Sequence, residues 1–172
     1  MDLEYLYALQ QLRDSLPDAV TSAVTVFSDL IAGPLVYIVV LILFWCVDKR
    51  LGYFTAFSYC VCLGVNQLVK NIACVYRPWF LDSRLEVAAP AAAEATGYSF
   101  PSGHTTSAVG LFGALAVWFR KHRWVVVLAV VFIALHAFAR NFLGCHTPQD
   151  VLVAILLASA VLFVVYKVFN YI

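Results

Sequence analysis

Charged side chains are scarce in this sequence. Aspartate, glutamate, lysine and arginine make up 12% of the 172 residues, whereas ordinary soluble domains carry roughly 25%. Hydrophobic residues make up 63% of the chain, and its mean hydropathy is +0.88. The composition therefore indicates an integral membrane protein, and the length suits a single domain over residues 1–172.

Several other features are missing, and each absence disfavours a class of protein. The net charge is only +1, so nothing favours a nucleic-acid partner. The first residues have neither the basic start nor the apolar core of a secretory signal peptide. The five cysteines show no zinc-type spacing, although a disulfide between Cys74 and Cys145 stays open. We therefore expect no structural zinc site.

The apolar residues form one amphipathic segment and five long runs. Residues 1–29 are predicted to be an amphipathic region whose helix lies on the membrane surface. Residues 30–172 form the helical core, in which a span needs roughly 20 residues. The five runs are Ile31–Val47, Gly52–Ile72, Thr105–Phe119, Trp124–Ala139 and Val151–Phe169. The sequence thus predicts an all-α, polytopic membrane helix bundle with about five spans.

The orientation follows from basic residues at the ends of these runs. They are Lys49, Arg50, Arg120, Lys121, Arg123 and Lys167. In a five-span topology all of them fall on one side, which the positive-inside rule makes cytoplasmic. The N-terminal helix, the loop 74–100 and the turn 140–150 are then extracytoplasmic, so three polar segments are expected to meet there.

The first polar segment is KNIACVYRP, which contains Lys70 and Arg77. These cations lie on the side of the membrane that disfavours them, which suggests an anionic ligand. The second segment is YSFPSGHTTS. Ser102 can simply cap a helix there, or the helix N-terminus, Gly103 and His104 can together form an anion site.

The third polar segment is ARNFLGCHTPQD, with Arg140, His146 and Asp150. Thr147 and Asp150 match a helix capping box, and Asp150 can also accept a hydrogen bond from His146 and fix its tautomer. The three segments hold cations and histidines without a carboxylate cluster for Mg²⁺ or Ca²⁺. Zinc on the two histidines is disfavoured by the adjacent cations. Phosphate fits better, because phosphoryl transfer needs charge neutralisation, a nucleophile and an acid.

The three segments together resemble the signature of the type-2 phosphatidic acid phosphatase superfamily. The matching motifs are Lys70-x6-Arg77-Pro78, Pro101-Ser102-Gly103-His104 and Arg140-x5-His146-x3-Asp150. The third motif usually begins with serine and arginine, whereas Ala139 precedes the arginine here. This departure removes one hydroxyl that can touch phosphate, and it does not alter the implied chemistry.

The resemblance implies a role for each matching residue. His146 is the nucleophile that forms a phosphohistidine, Asp150 orients it, and His104 protonates the leaving oxygen and then activates water. The implied phosphate-binding residues are Lys70, Arg77, Ser102, Gly103 and Arg140. His136 does not belong to the motifs. We interpret it as a buried structural histidine, with support of the site as the alternative.

The expected activity is hydrolysis of a phosphoric monoester or diphosphate without a cofactor. The membrane setting favours a lipid phosphate, or an isoprenoid diphosphate such as undecaprenyl diphosphate, at the extracytoplasmic face. Phosphatidylglycerophosphate and phosphatidate are alternatives, because the motifs read only phosphate. A non-catalytic lipid-headgroup binder or transporter would not need both histidines and the aspartate. A haloperoxidase is expected to be a larger, soluble chain.

We predict that hydrolysis survives chelation of divalent ions. The polar segments supply cations for the phosphate charge and no carboxylate cluster for a metal. Phosphate release by the purified protein should therefore be the same before and after dialysis against EDTA. Loss of activity that Mg²⁺ or Zn²⁺ restores would contradict the prediction.

Overall fold

The computed structural model describes residues 2–93 and 95–171, and every element within them is helical. The predicted all-α fold is therefore confirmed. The helices are α1 (Asp2–Asp14), α2 (Asp18–Ala32), α3 (Pro34–Ile42, followed by a π-helical turn Leu43–Val47), α4 (Lys49–Ala73), α5 (Pro78–Leu81), α6 (Ala89–Ala92), α7 (Gly103–Ala108, followed by a π-helical turn Val109–Gly113), α8 (Ala114–Trp118), α9 (Arg123–Phe142) and α10 (Pro148–Tyr171).

The first predicted span coincides with part of a longer helical segment, which begins earlier and is bent. Helix α2 runs into the segment Pro34–Val47 with a bend of 46° at Gly33. Proline lacks the N–H that would continue the hydrogen-bond ladder, and its ring crowds the preceding turn. The predicted start at Ile31 therefore falls inside a longer, broken helix. Residues 18–29, which the sequence analysis assigns to the amphipathic region, form most of α2.

Two helices are long and apolar enough to cross a membrane on their own. These are α9 and α10, and the bent pair of α2 and α3 makes a third if it is counted as one span. Helix α4 is long enough, but Asn66 and Gln67 interrupt its apolar sequence. The stretch from α7 to α8 covers only residues 103–118 and contains a π-helical turn. The count of five spans therefore stays a prediction.

Helix α4 lies at the centre of the bundle and packs against α10 and α8. One buried cluster joins these helices through Phe54, Ala114, Leu162 and Val165. Large apolar side chains such as Trp45, Ile72 and Leu156 instead face outward. In a membrane protein such side chains meet lipid, so the outer surface is as apolar as the core.

The N-terminal helix α1 packs against the protein as well as following an amphipathic pattern. Leu6 and Leu9 are buried, and Arg13 donates to the carbonyl oxygens of Glu86 at 3.0 Å and Phe142 at 3.5 Å. The helix predicted to lie on the membrane surface therefore also covers the end of α9 and the loop before α6. The N–H groups of its buried Arg13 find acceptors there, as buried donors generally do.

The cysteines are all free. Cys74 is exposed and Cys145 is buried, and no disulfide joins them. The Cys145 backbone carbonyl instead accepts a hydrogen bond from Arg77. The contribution of this cysteine to the site therefore comes from its main chain.

We predict that Gly144→Ala destabilises the protein more than Gly97→Ala. Both glycines have left-handed backbone conformations, with φ of 73° and 64°, which cost a non-glycine residue roughly 1–2 kcal/mol. A Cβ at Gly144 would also lie 3.0 Å from the Glu86 carbonyl oxygen, whereas one at Gly97 meets nothing within 4 Å. Thermal unfolding in detergent should give the lower midpoint for Gly144→Ala. Equal midpoints would mean that the loop before α6 moves away from the added Cβ at little cost in stability.

Candidate active site

A cavity of about 550 Å³ opens between α3, α4, the loop 96–98 and the start of α7. Five of the predicted site residues line it: Lys70, Arg77, Gly103, His104 and His146. Three others, Ser102, Arg140 and Asp150, are buried and lie outside this lining. The structure thus brings the three polar segments together, although a loop separates the first two in the sequence and apolar helices separate the second from the third.

His146 is held between Arg77 and Asp150. Its Nε2 lies 3.1 Å from Arg77 Nη1, and its Nδ1 lies 3.5 Å from Asp150 Oδ2. An arginine can only donate hydrogen bonds, so the nitrogen facing it must carry a lone pair. The proton of the neutral ring is then on Nδ1, toward the carboxylate. Both neighbours therefore select the tautomer that presents an unprotonated Nε2.

The charge state of His146 follows from its burial. Its side chain is almost completely inaccessible, and burial lowers its pKa from the usual value. The hydrogen bond to Asp150 raises the pKa, and the charges of Arg77 and Arg140 lower it again. The net direction is downward, so the imidazole is neutral at physiological pH and its Nε2 lone pair accepts from Arg77.

Asp150 serves both the helix and the histidine. Its Oδ2 accepts from the Thr147 backbone N–H at 2.9 Å, and its own N–H donates to Thr147 Oγ1 at 3.2 Å. These are the reciprocal bonds of the predicted capping box. The same Oδ2 accepts from Ser99 Oγ at 2.5 Å. The start of α10 therefore fixes the carboxylate against His146.

Arg77 is held by backbone carbonyls on three sides. Its guanidinium donates to the carbonyl oxygens of Thr96 at 2.7 Å, Gly97 at 3.1 Å and Cys145 at 3.0 Å. Burial lowers the pKa of this arginine, but the ordinary value is so high that the group stays charged. The result is a rigid cation at one end of the cavity.

The turn before α7 is fixed from both sides. Ser102 Oγ caps the helix by accepting from the Thr105 N–H, and the Ser102 N–H donates to the Asp150 backbone carbonyl at 3.1 Å. Asn66 Nδ2 donates to Thr106 Oγ1 at 2.9 Å. The capping interpretation of Ser102 is therefore correct. The next residue, Gly103, lies in the cavity wall beside Lys70.

Arg140 is completely buried and has a polar neighbour that the sequence analysis missed. Its Nη1 donates to Ser28 Oγ at 2.9 Å, while Nε and Nη2 have no acceptor among the described residues. Unsatisfied donors on a buried arginine are unusual, so these N–H groups are candidates for contact with an oxyanion. Ala139 leaves no hydroxyl next to Arg140 in the chain, and Ser28 on α2 supplies one from elsewhere in the fold.

Three further polar residues complete the surroundings of the histidines. Asp29 Oδ1 lies 3.3 Å from His104 Nε2 and 3.6 Å from Arg140 Nη1. His136 is buried and stacks on the His104 ring, with centroids 6.2 Å apart and planes inclined by 17°. Ser99 binds Asp150 as described above. In the sequence, the only feature that marks Asp29 as a functional residue is its position as a carboxylate in the apolar stretch before Gly33. No comparable feature distinguishes Ser99.

The assembled site can bind an anion and attack it. Arg77 and Lys70 line the cavity together with the neutral imidazole of His146, whose Nε2 contacts Arg77. A second histidine, His104, also lines it. Electrostatic stabilisation, a nucleophile and a proton carrier are the parts that phosphoryl transfer needs.

Comparisons with known proteins agree on one family and one fold. The model of the PAP2 superfamily matches residues 51–172. A transmembrane PAP2 type phosphatidylglycerolphosphate phosphatase from Bacillus subtilis has a similar crystal structure, with a TM-score of 0.74 and 21% identity. The match covers 97% of this chain and 85% of that one. At this identity the likeness shows the fold.

Two curated relatives carry the same kind of name. An undecaprenyl-diphosphatase of Sulfolobus acidocaldarius is 24% identical over 115 residues, which cover 67% of this chain and 53% of that protein. Undecaprenyl-diphosphatase BcrC of Bacillus subtilis is 33% identical over 105 residues, which cover 61% of this chain and 51% of that protein. The matched regions thus span about half the length of these relatives.

We predict that Ser99→Ala slows phosphate-ester hydrolysis by about tenfold or more. Loss of a hydrogen bond to a charged group costs roughly 1.5–3 kcal/mol, and Ser99 Oγ contacts both Asp150 Oδ2 and, at 3.4 Å, His146 Nδ1. Ser107→Ala is the matched control, because this serine is also buried but contacts Tyr59 instead. Comparison of kcat for the two variants checks the prediction. Equal kcat values would leave Ser99 without a role in orienting Asp150.

Proposed function

The chain belongs to the PAP2 superfamily, and from that premise we propose that it is an integral-membrane lipid phosphatase. Its substrate is a lipid phosphate or an isoprenoid diphosphate, and the reaction proceeds through a phosphohistidine on His146. The observation that carries the proposal is the pairing of His146 with Arg77 and Asp150. The Nε2 lone pair of neutral His146 points at the Arg77 guanidinium. A phosphate bound to that guanidinium would therefore bring its phosphorus close to the nucleophilic nitrogen.

In the first step the Nε2 lone pair of His146 attacks phosphorus, and the bond from phosphorus to the leaving oxygen breaks. Arg77, Arg140 and Lys70 neutralise the other phosphate oxygens, and His104 gives its proton to the leaving oxygen. In the second step His104 takes a proton from water, whose oxygen attacks the phosphorus of the phosphohistidine. Inorganic phosphate leaves, and the free imidazole returns.

The phosphate charge is balanced by this chain's own cations, and we propose that no metal takes part. Ser102 and the Gly103 N–H are proposed to assist from the start of α7. Arg77 Nη1 lies 3.1 Å from His146 Nε2. When phosphate binds, this N–H would donate to a phosphate oxygen instead of to Nε2, and Nε2 would then face the phosphorus. This exchange needs little movement, because the carbonyl oxygens of Thr96, Gly97 and Cys145 keep the guanidinium in place.

The shape of the cavity supports a lipid substrate. From the cations it continues along α4 past Tyr59 and Leu63 to Tyr37 on α3. Tyr37 is 65% exposed on the outer surface, where a membrane protein meets lipid. A phosphate bound at the cations could therefore extend an apolar chain along this wall into the bilayer.

The names of the relatives favour an isoprenoid diphosphate. Both curated relatives are undecaprenyl-diphosphatases, which makes a polyprenyl diphosphate the first substrate to test. The similar crystal structure belongs to a phosphatidylglycerolphosphate phosphatase, so phosphatidylglycerophosphate and phosphatidate form the second group.

We predict phosphate release by the purified protein in detergent from a polyprenyl diphosphate, faster than from phosphatidylglycerophosphate or phosphatidate. His146→Ala should remove the nucleophile and lower turnover by more than about a thousandfold, with the thermal midpoint retained. The readout is free phosphate per enzyme over time. Absence of release from every substrate by a folded wild type would reject the proposed function.

We also propose that the site faces away from the cytoplasm, because the basic residues at the ends of the apolar runs mark the inside. With the native cysteines removed, Ser83→Cys in the exposed loop after α5 should react with an impermeant thiol reagent in intact cells. Lys121→Cys, between α8 and α9, is the matched control and should react only after the membrane is opened. The reverse pattern would invert the topology.

A further inference from the structure

A second carboxylate, Asp29, lies against the other histidine of the cavity. Its Oδ1 is 3.3 Å from His104 Nε2 and 3.6 Å from Arg140 Nη1. The residue lies on α2, one turn before the bend at Gly33. No part of the three sequence motifs contains it.

We propose that Asp29 is a positioning residue for His104, which it orients for proton transfer at Nδ1. The 3.3 Å contact is an ion-pair distance, and an ionised carboxylate has no proton to donate, so it favours a proton on the nitrogen beside it. With Nε2–H facing Asp29, Nδ1 is the atom that gives and takes the transferred proton. This proposal rests on the proposed function, in which His104 serves the leaving oxygen and then water.

The contact between Asp29 and His104 resembles that between Asp150 and His146, with the two ring nitrogens exchanged. Asp150 lies by Nδ1 of His146 and leaves Nε2 free, whereas Asp29 lies by Nε2 of His104 and leaves Nδ1 free. The two carboxylates thus leave different ring nitrogens free: Nε2 of His146 for attack on phosphorus and Nδ1 of His104 for proton transfer. In each pair the carboxylate also stabilises the ring when it is protonated.

The fold keeps both members of the new pair in place. His136 stacks on the His104 ring with planes inclined by 17°, which restricts its rotation. The end of α2 is anchored at the cavity, because Tyr59 Oη donates to the Ala32 carbonyl oxygen at 3.2 Å. This hydrogen bond holds the end of α2, which carries Asp29, at the cavity.

The contact with Arg140 allows a different role, and the two roles make different predictions. Arg140 already donates to Ser28 Oγ at 2.9 Å, a shorter contact than its 3.6 Å approach to Asp29. If Asp29 served only Arg140, its loss would weaken phosphate binding whether or not His104 is present. If it serves His104, its loss matters only while that histidine is there.

A double-mutant cycle separates these roles. We expect Asp29→Asn to lower kcat on the lipid substrate by about tenfold or more, since general acid–base catalysis is typically worth 10²–10⁴-fold. In a His104→Ala background the same substitution should change kcat by less than about twofold. Equal fold losses in both backgrounds would overturn the proposal.

The leaving group gives a second readout. A phosphate monoester such as phosphatidate expels an alkoxide oxygen, which needs a proton as its bond to phosphorus breaks, whereas p-nitrophenolate leaves without one. Asp29→Asn should therefore slow hydrolysis of phosphatidate strongly and that of p-nitrophenyl phosphate by less than about threefold in the step that forms the phosphohistidine. Equal slowing of both substrates in that step would count against a role through His104.

Controls keep the outcomes distinct. Asp18→Asn lies on the same helix at an exposed position and should retain wild-type kcat. If Asp29→Asn does not fold, Asp29→Glu keeps the charge but displaces the oxygen, and the cycle is repeated with it. Activity of the wild type with additive losses in the cycle rejects only the role of Asp29. Inactivity of the folded wild type on every lipid phosphate rejects the proposed function itself.

Discussion

The contact between Arg77 and His146 is the interaction on which the site depends. A guanidinium has no lone pair, so it can approach a histidine nitrogen to 3.1 Å only where that nitrogen is unprotonated. The contact therefore fixes the tautomer, the charge and the direction of the ring together. Asp150 completes the assignment from the other nitrogen. Removal of either neighbour would allow the buried imidazole to adopt the other tautomer, in which Nε2 carries the proton and cannot attack.

The second constraint is the concentration of positive charge in an apolar protein. Lys70, Arg77 and Arg140 are gathered around one cavity, and two carboxylates, Asp29 and Asp150, lie among them. Three cations against two anions leave the site with an excess positive charge, which a phosphate would neutralise. Main-chain carbonyls hold the Arg77 guanidinium and Ser28 holds Arg140 Nη1, whereas Arg140 Nε and Nη2 have no acceptor among the described residues. Unsatisfied buried donors are costly, so the proposed phosphate would also relieve this cost.

Sequence reasoning predicted the helical fold and the convergence of the three motifs, because apolar runs and polar interruptions are local signals. The bend at Gly33 was missed, although proline at 34 marks it, because the run through Ile31–Val47 is apolar on both sides of the break. Ser28, Asp29 and Ser99 were also missed. Their roles come from contacts across the fold, such as the 2.9 Å bond from Arg140 to Ser28, and spacing within one segment carries no information about them. The departure at Ala139 illustrates the same limit, since the neighbouring hydroxyl comes from a distant helix.

The central claim is that His146 carries the phosphoryl group, and direct detection of that bond tests it best. The purified protein would be mixed rapidly with its lipid substrate, quenched in alkali, and analysed by mass spectrometry of the peptide that contains residue 146. The account predicts phosphate on a ring nitrogen of His146, formed at least as fast as turnover and absent from His146→Ala. Full turnover with no phosphorylated histidine on the chain at any time point would contradict it.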